Sequence, residues 1–292
     1  SKWRPAVPEP RGLSRALLQV PDRTLNESEL EHLRRDGVVL LQGVVPDKRL
    51  LAGLAAQIWK HADMRFEETF INQKTWLFNG AVRTLLRDGP LEGIAHSAYN
   101  LTREQNVYAG EAPVWGWPRR KTQLANSWHA DARASKDQTV TIWLLLVDAS
   151  HSLEFILGSH NTRDAMEEQC AYQVPGGKLG FKSFNTTCLD NFTSNLPNKG
   201  HFRPYIEAGD AFVFNGNVLH RGIRQTYDRL AISIRFLPLD PELQTPSMGT
   251  PVLVPRGSAS FDGAPWAVLP GTPNATPWLP VQWGWLLWLL HL

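Results

Sequence analysis

The residues of this chain best able to do chemistry together are His129, Asp131, His220 and Arg229. A non-haem Fe(II) centre needs two imidazoles and one carboxylate on one side of the metal, with the other positions open. "SWHAD" supplies a His-x-Asp pair. Alternate residues on an extended strand point the same way, so His129 and Asp131 can converge on one ion. The pair alone is a weak signal, since it equally fits the start of an ordinary strand. His220 alone reads as a loop histidine. The segment "EAGDAFVFNGNVLHRG" reads as turn, strand and turn, with His220 opening the next element. Nine residues on, Arg229 opens the strand "RLAISIRF". A buried arginine at the mouth of a β-barrel is costly unless it meets an anion. The carboxylate of a dicarboxylic cosubstrate is such an anion, and a guanidinium fork matches it bidentately. Arg229, Ala231, Ser233 and Arg235 share one face of that strand. Ser233 is then placed to donate a second hydrogen bond, and Arg235 is the rival for the anion.

The pattern around these residues indicates the elements that must position them. "NESELEHLRRDG" reads as a helix, with Asn26 as its cap, Glu29 completing a capping box and Gly37 as its stop. "VVLLQGVV" (38–45) is a short buried strand. "PDKRLLAGLAAQIWKHA" places Pro46 before apolar residues at helical spacing, and helical character returns between Trp76 and Tyr99. After Asn106, β-type runs separated by Gly, Pro, Asn and Asp indicate a sandwich or barrel. The chain thus divides into an extended arm (1–24), one domain with helices before a β-core (25–240), and a Pro/Trp-rich extension (241–292) expected to pack on that domain.

Composition sets the bounds. At 292 residues, 42% apolar and 20% charged, the chain is globular and not disordered. A net charge of +2 gives no argument for nucleic acid or an anionic membrane as partner. Cys170 and Cys188 form no zinc pattern, and the expectation is two free thiols in a reducing, cytoplasmic setting. The opening "SKWRPAVPEPRGLSRALL" shows no apolar run of secretory type, though a processed chain would look the same. Sequons begin at Asn26, Asn100, Asn185, Asn191 and Asn274, where chance gives about two. "WLPVQWGWLLWLLHL" falls short of the ~20 residues a spanning helix needs. Its tryptophans suit a segment docked on the core, a membrane surface or another subunit.

The ordered blocks "SWHAD", "TIWLLLVDAS", "SLEFILGSH", "IEAGDAFVFNGNVLHRG" and "RLAISIRF" resemble the phytanoyl-CoA dioxygenase-like family of Fe(II)/2-oxoglutarate-dependent dioxygenases, over roughly residues 28–240. The resemblance implies a double-stranded β-helix (jelly roll, cupin-like) core that is mainly β with flanking helices. It implies that His129, Asp131 and His220 bind iron, and that Arg229 binds the far carboxylate of 2-oxoglutarate. Arg229 is preferred to Arg235 because the family's arginine precedes an Ala-Ile-Ser block. Trp143 matches an aromatic position lining the cosubstrate pocket, and Ser233 carries over beside it. Relatives that halogenate have Ala or Gly in place of the carboxylate, so Asp131 points to hydroxylation, desaturation or oxidative ring closure. Two departures stand out: "DASHSLEF" is shorter than the family's Gly-containing turn, and Ala130 replaces a frequent Gln.

The implied reaction couples oxidation of a C–H bond to conversion of 2-oxoglutarate and O2 into succinate and CO2. The substrate is expected to be a small molecule of specialised metabolism. Arg119, Arg120 and Trp117 of "VWGWPRRK", together with Arg133, are candidates to contact it, against a plain solvated basic turn with core tryptophans. A non-catalytic jelly-roll binding module and a zinc hydrolase using the same three ligands are the alternatives. The complete ligand set argues against the first, and Arg229 is unexplained under the second.

Overall fold

The computed structural model describes residues 20–61, 70–72, 82, 85–86, 89–101, 107–111, 114–117, 128–132, 138–147, 151–172, 183–194, 200–223, 229–238 and 252–253. Helix α1 (Glu27–Asp36) begins where expected. The Asn26 side chain accepts from the Glu29 N–H at 2.9 Å, and the Glu29 carboxylate returns to the Asn26 N–H at 2.9 Å. Gly37 ends the helix in the left-handed region at φ 81°, and a side chain there would also strike His160. Strand β1 (Val38–Leu41) stops four residues short of the expected run. Gln42 and Gly43 turn the chain, with Gly43 at φ 60°, before helix α2 (Lys48–His61). The helical region expected between Trp76 and Tyr99 contains α3 (Leu91–Ala98), with Val82, Leu85 and Leu86 also helical.

Most of the β-core lies beyond α3, but β1 and one further strand precede it. Its strands are β2 (Phe70–Asn72), β3 (Val107–Glu111), β4 (Val114–Trp117), β5 (Val140–Leu145), β6 (Leu153–Ile156), β7 (Ala171–Tyr172), β8 (Ser183–Phe184), β9 (His201–Phe202), β10 (Ala211–Asn215), β11 (His220–Gly222), β12 (Arg229–Pro238) and β13 (Val252–Leu253). Two further helices, α4 (Arg163–Cys170) and α5 (Thr186–Thr193), lie between β6 and β9. The large sheet runs β1-β10-β5-β12-β3-β13, with β4 also on β12 and β2 on β4. A small sheet runs β11-β6-β9, and every pairing is antiparallel. Two facing antiparallel sheets with this crossed strand order form the jelly roll.

Period-two burial decides what each sheet face does. On β12 and β5 one set, Leu230, Ile232, Ile234, Phe236, Ile142 and Leu144, packs against the helical layer. The alternate set turns into the space between the sheets, where Trp143, Leu145 and Ala231 meet Phe155, Phe212 and Phe214. Tyr99 fastens α3 to this core. Its hydroxyl accepts from Val140 N–H at 2.8 Å and lies 2.6 Å from both Gln138 O and Phe236 O, to either of which its single proton can be given. Burial pushes that phenol well above its ordinary pKa, with the Val140 N–H opposing.

A third apolar group covers the outside of the small sheet: Trp128, Ala130, Ile156, Met166, Cys170, Phe184, Leu189 and Leu219. Here the expectation of two free thiols fails. Cys170 at the end of α4 and Cys188 on α5 form a disulfide, with Cα atoms 5.5 Å apart. Spacing along the chain says nothing of that proximity, which arises only when α4 and α5 dock side by side. Among the described residues no helix is long and apolar enough to cross a membrane. Of the C-terminal extension, Val252 and Leu253 add to the edge of the large sheet on β3. "WLPVQWGWLLWLLHL" lies outside the described residues.

Candidate active site

His129 and His220 are brought face to face by the backbone. They form an isolated antiparallel bridge, with the His129 N–H donating to His220 O at 3.0 Å and the His220 N–H to His129 O at 2.9 Å. Their ring centroids are 4.4 Å apart. Asp131 arrives differently from expectation. The chain bends at Asp131 and Ala132 and does not continue as a strand, so a turn aims the carboxylate where strand alternation alone was expected to. The bend is held by the Ala132 N–H donating to Gly216 O at 2.7 Å. Gly216 in turn lies so close to Thr139 that a Cβ would stand 2.8 Å from the threonine's own. One ligand atom from each of His129, Asp131 and His220 lies within 4.8 Å of the others.

The supports of the group come from the large sheet on one side and from helix α4 on the other. On the large sheet, Thr141 Oγ1 donates to Asp131 Oδ2 at 2.9 Å, and Arg235 Nη2 donates to Asp131 Oδ1. On the other side, buried Arg163 donates from Nη1 to Ala132 O at 2.9 Å and to Asn217 Oδ1 at 2.8 Å, which ties the two ligand-bearing turns together. Its Nε and Nη2 are both anchored on Glu167. Trp128 and Ala130, which flank His129, and Leu219, which precedes His220, belong to the disulfide-bearing apolar layer.

Electrostatics prepare these groups for a cation. Burial raises the Asp131 carboxyl, but the charge of Arg235 above all, with its hydrogen bond and the nearby imidazoles adding to it, outweighs that. The net effect holds Asp131 well below the usual carboxylate range, as an anion. Burial and the neighbouring His129 push His220 down to about 4, against the pull of Asp131, so its imidazole is neutral at pH 7. His220 Nδ1 lies 3.1 Å from Val218 O. A proton on Nδ1 directed at that carbonyl leaves Nε2 with its lone pair, and Nε2 is the atom facing Asp131 Oδ1 at 3.9 Å. An anionic carboxylate with a neutral imidazole lone pair beside it is the donor set a divalent metal requires.

The two candidate arginines of β12 separate clearly. Arg235 sits opposite Thr141 and engages Asp131. Arg229 is fully buried, donates from Nη1 to Ser152 O at 2.7 Å, and holds its Cζ 5.9 Å from the Trp143 ring centroid. Trp143 stands opposite Ser233 across β5 and β12, and both side chains are buried. Arg229, Trp143 and Ser233 therefore line one stretch of the barrel interior, and their chemistry fits a buried carboxylate-bearing ligand. Trp117 has its backbone on β4 opposite Arg229, with its side chain not described; Arg119, Arg120 and Arg133 lie outside the described residues. Sequence reasoning missed Thr141 and Arg163. Thr141 had a signal, since it shares a strand face with Trp143. Arg163 showed only a local i,i+4 pairing with Glu167, because the oxygens it clamps, Ala132 O and Asn217 Oδ1, are distant in the chain.

The phytanoyl-CoA dioxygenase (PhyH) family profile matches residues 33–226. The chain belongs to this family. Membership makes it a 2-oxoglutarate-dependent dioxygenase with iron as its metal, and the His129–Asp131–His220 group fits that metal. No curated protein sequence matches the chain. Several solved structures share its fold. The epimerase SnoN from nogalamycin biosynthesis, in complex with Fe3+, alpha ketoglutarate and nogalamycin RO, is 18% identical with a TM-score of 0.56, over 87% of this chain and 93% of that one. The carbocyclase SnoK from the same biosynthesis is 14% identical with a TM-score of 0.58, over 86% and 97%. EvdO2 from Micromonospora carbonacea var. aurantiaca, complexed with 2-oxoglutarate, is 15% identical with a TM-score of 0.57, over 75% and 94%.

Proposed function

We propose that this dioxygenase oxidises an unactivated C–H bond of a small molecule of specialised metabolism, with hydroxylation as the outcome. The observation that carries the reading is the convergence of His129, Asp131 and His220 in the same barrel interior as the fully buried Arg229. Iron, 2-oxoglutarate and O2 together supply the oxidant, and succinate and CO2 are released. The protein's residues prepare the setting. His129, Asp131 and His220 would hold the metal, as the donor set of a non-haem iron centre. Thr141 and Arg235 occupy both oxygens of Asp131, which fixes the carboxylate's rotation. Arg229 binds the far carboxylate of 2-oxoglutarate, with Ser233 as a second donor and Trp143 as the wall. The apolar side chains of Phe155, Phe212 and Phe214 keep water from that end of the barrel.

The carboxylate at position 131 argues against halogenation, because it occupies the place a halide would need. Desaturation or oxidative ring closure needs the same residues. The likeness to an epimerase and a carbocyclase of nogalamycin biosynthesis supports small-molecule chemistry of that breadth on this fold. A zinc hydrolase would use the three ligands but gives no role to a cation buried as deeply as Arg229. The test is succinate release from purified protein given Fe(II), 2-oxoglutarate, O2 and a panel of small molecules. His129→Ala and Asp131→Ala should each reduce release to background. Unchanged release in either variant refutes the assignment.

A further inference from the structure

We infer that this enzyme is made in an oxidising, glycosylating compartment and carries N-linked glycans on the α4–α5 layer, at Asn185 and Asn191. This departs from the cytoplasmic setting expected from the cysteine count.

Two independent observations meet in that layer. The first is the Cys170–Cys188 disulfide, which joins α4 to α5. Disulfides persist where the surroundings are oxidising and are rare where glutathione keeps thiols reduced. The second is the placement of the sequons. Four of the five begin at described residues, Asn26, Asn100, Asn185 and Asn191, and all four asparagines are exposed. Asn185 and Asn191 stand on either side of Cys188, at the start and in the body of α5. The inner face of α5 is occupied by buried Leu189 and Thr193, and its outer face by exposed Thr187, Asp190, Asn191 and Ser194. A glycan on that outer face meets solvent and not the barrel.

The atoms available also suit the modification. Asn185 caps α5 by accepting from the Cys188 N–H at 3.0 Å through Oδ1. Asn26 caps α1 in the same way. The glycan attaches to Nδ2, so cap and sugar use different atoms of one amide. Transfer forms a C–N bond between the sugar's C1 and Nδ2. It breaks the C1–O bond to a lipid pyrophosphate, which leaves with its electron pair, and the amide gives up one proton. Thr193, the hydroxyl residue of the Asn191 sequon, is buried in the folded protein. Transfer there precedes the docking of α5. The disulfide forms as two thiols pass two electrons and two protons to a disulfide-bearing oxidant.

The experiment uses the full-length protein purified from the cells that make it. It is digested under alkylating, non-reducing conditions, and peptide-N-glycosidase is applied in heavy-oxygen water, which converts each glycan-bearing Asn into a labelled Asp. The expected result is label at Asn185 and Asn191, with the Cys170 and Cys188 peptides joined until reduced. In a secreting host, Thr187→Ala and Asn191→Gln should each remove one step of gel mobility shift; Thr187 is exposed and its loss leaves the Asn185 cap intact. Unlabelled Asn185 and Asn191, or Cys170 and Cys188 alkylated without prior reduction, overturns the inference. Succinate release is unaffected by either outcome, so the catalytic assignment stands or falls separately.

Discussion

Asp131 and His129 lie two residues apart on one segment, yet the carboxylate and the two histidines are secured from opposite sides and by different forces. The carboxylate is held to the large sheet by charge and hydrogen bonding, through Arg235 and Thr141. The imidazoles are held on the small-sheet side by a backbone bridge, and behind it by an apolar layer closed with a disulfide. One region tunes the electrostatics of the site and the other fixes its shape. Substitutions on the two sides should therefore fail in different ways.

The largest effect should come from the interior of the large sheet. Arg229→Leu removes the one fully buried guanidinium among the described residues. Losing one partner of a buried, charge-assisted contact costs about 2–5 kcal/mol. The KM for 2-oxoglutarate should rise on the order of a hundredfold, while Fe(II) affinity, read by calorimetry, stays close to the parent's. Equal loss of both would erase the separation between the cosubstrate end and the metal end.

Next is the covalent tie of the other side. Replacing both Cys170 and Cys188 by Ser opens a loop spanning 18 residues and should cost about 3 kcal/mol in chemical denaturation. Arg235→Gln should act the other way round. Loss of a group that orients a metal ligand typically costs about 10–100-fold in metal affinity or activity, with little change in the unfolding midpoint of the iron-loaded protein, where the metal also faces the buried Asp131 charge. If the disulfide variant lost metal affinity without stability, or Arg235→Gln the reverse, the division of labour would be wrong.

The smallest effect concerns Glu154 on β6. Burial raises its carboxyl, but hydrogen bonds from His201 and Arg221 and the charge of Arg221 outweigh this, so the net pKa is lowered. A lowered folded pKa means the carboxylate's contribution is present above the unfolded value of about 4.3 and disappears as pH falls through the folded one. Glu154→Gln should therefore lose stability at pH 7 and narrow the gap between denaturation midpoints at pH 7 and about pH 3.5. A gap that widens would show that the Arg221 and His201 contacts do not favour the charged form.

Much of this was legible in the sequence, for identifiable reasons. Asn26 and Glu29 act within the first turn of α1 and Gly37 within its last, so local chemistry alone places the helix. The period-two pattern of "RLAISIRF" assigned Arg229, Ala231, Ser233 and Arg235 to one face, and β12 puts Ala231 inside while Leu230 and Ile232 pack outside. The convergence of His129 and Asp131 was legible, but the means was not, because a bend stabilised by Gly216 depends on a turn far along the chain. The disulfide and the Arg163 clamp were illegible for the same reason: each joins residues that only docking brings near. Arg235 was weighed as an anion binder, and its engagement with Asp131 required the fold.

The bridge between His129 and His220 has a consequence for assembly. It closes a span of about ninety residues, within which the shorter disulfide loop is nested, and closing so long a span carries an entropic penalty that grows only slowly with its length. Neither histidine has its partner until that span has closed, so the extended chain offers a metal at most a fragment of the site. An ion shared by the two rings acts as a clasp on the finished topology: it should bind late in folding, slow the first separation of the two ligand-bearing segments, and raise the melting temperature in proportion to the logarithm of its free concentration above Kd.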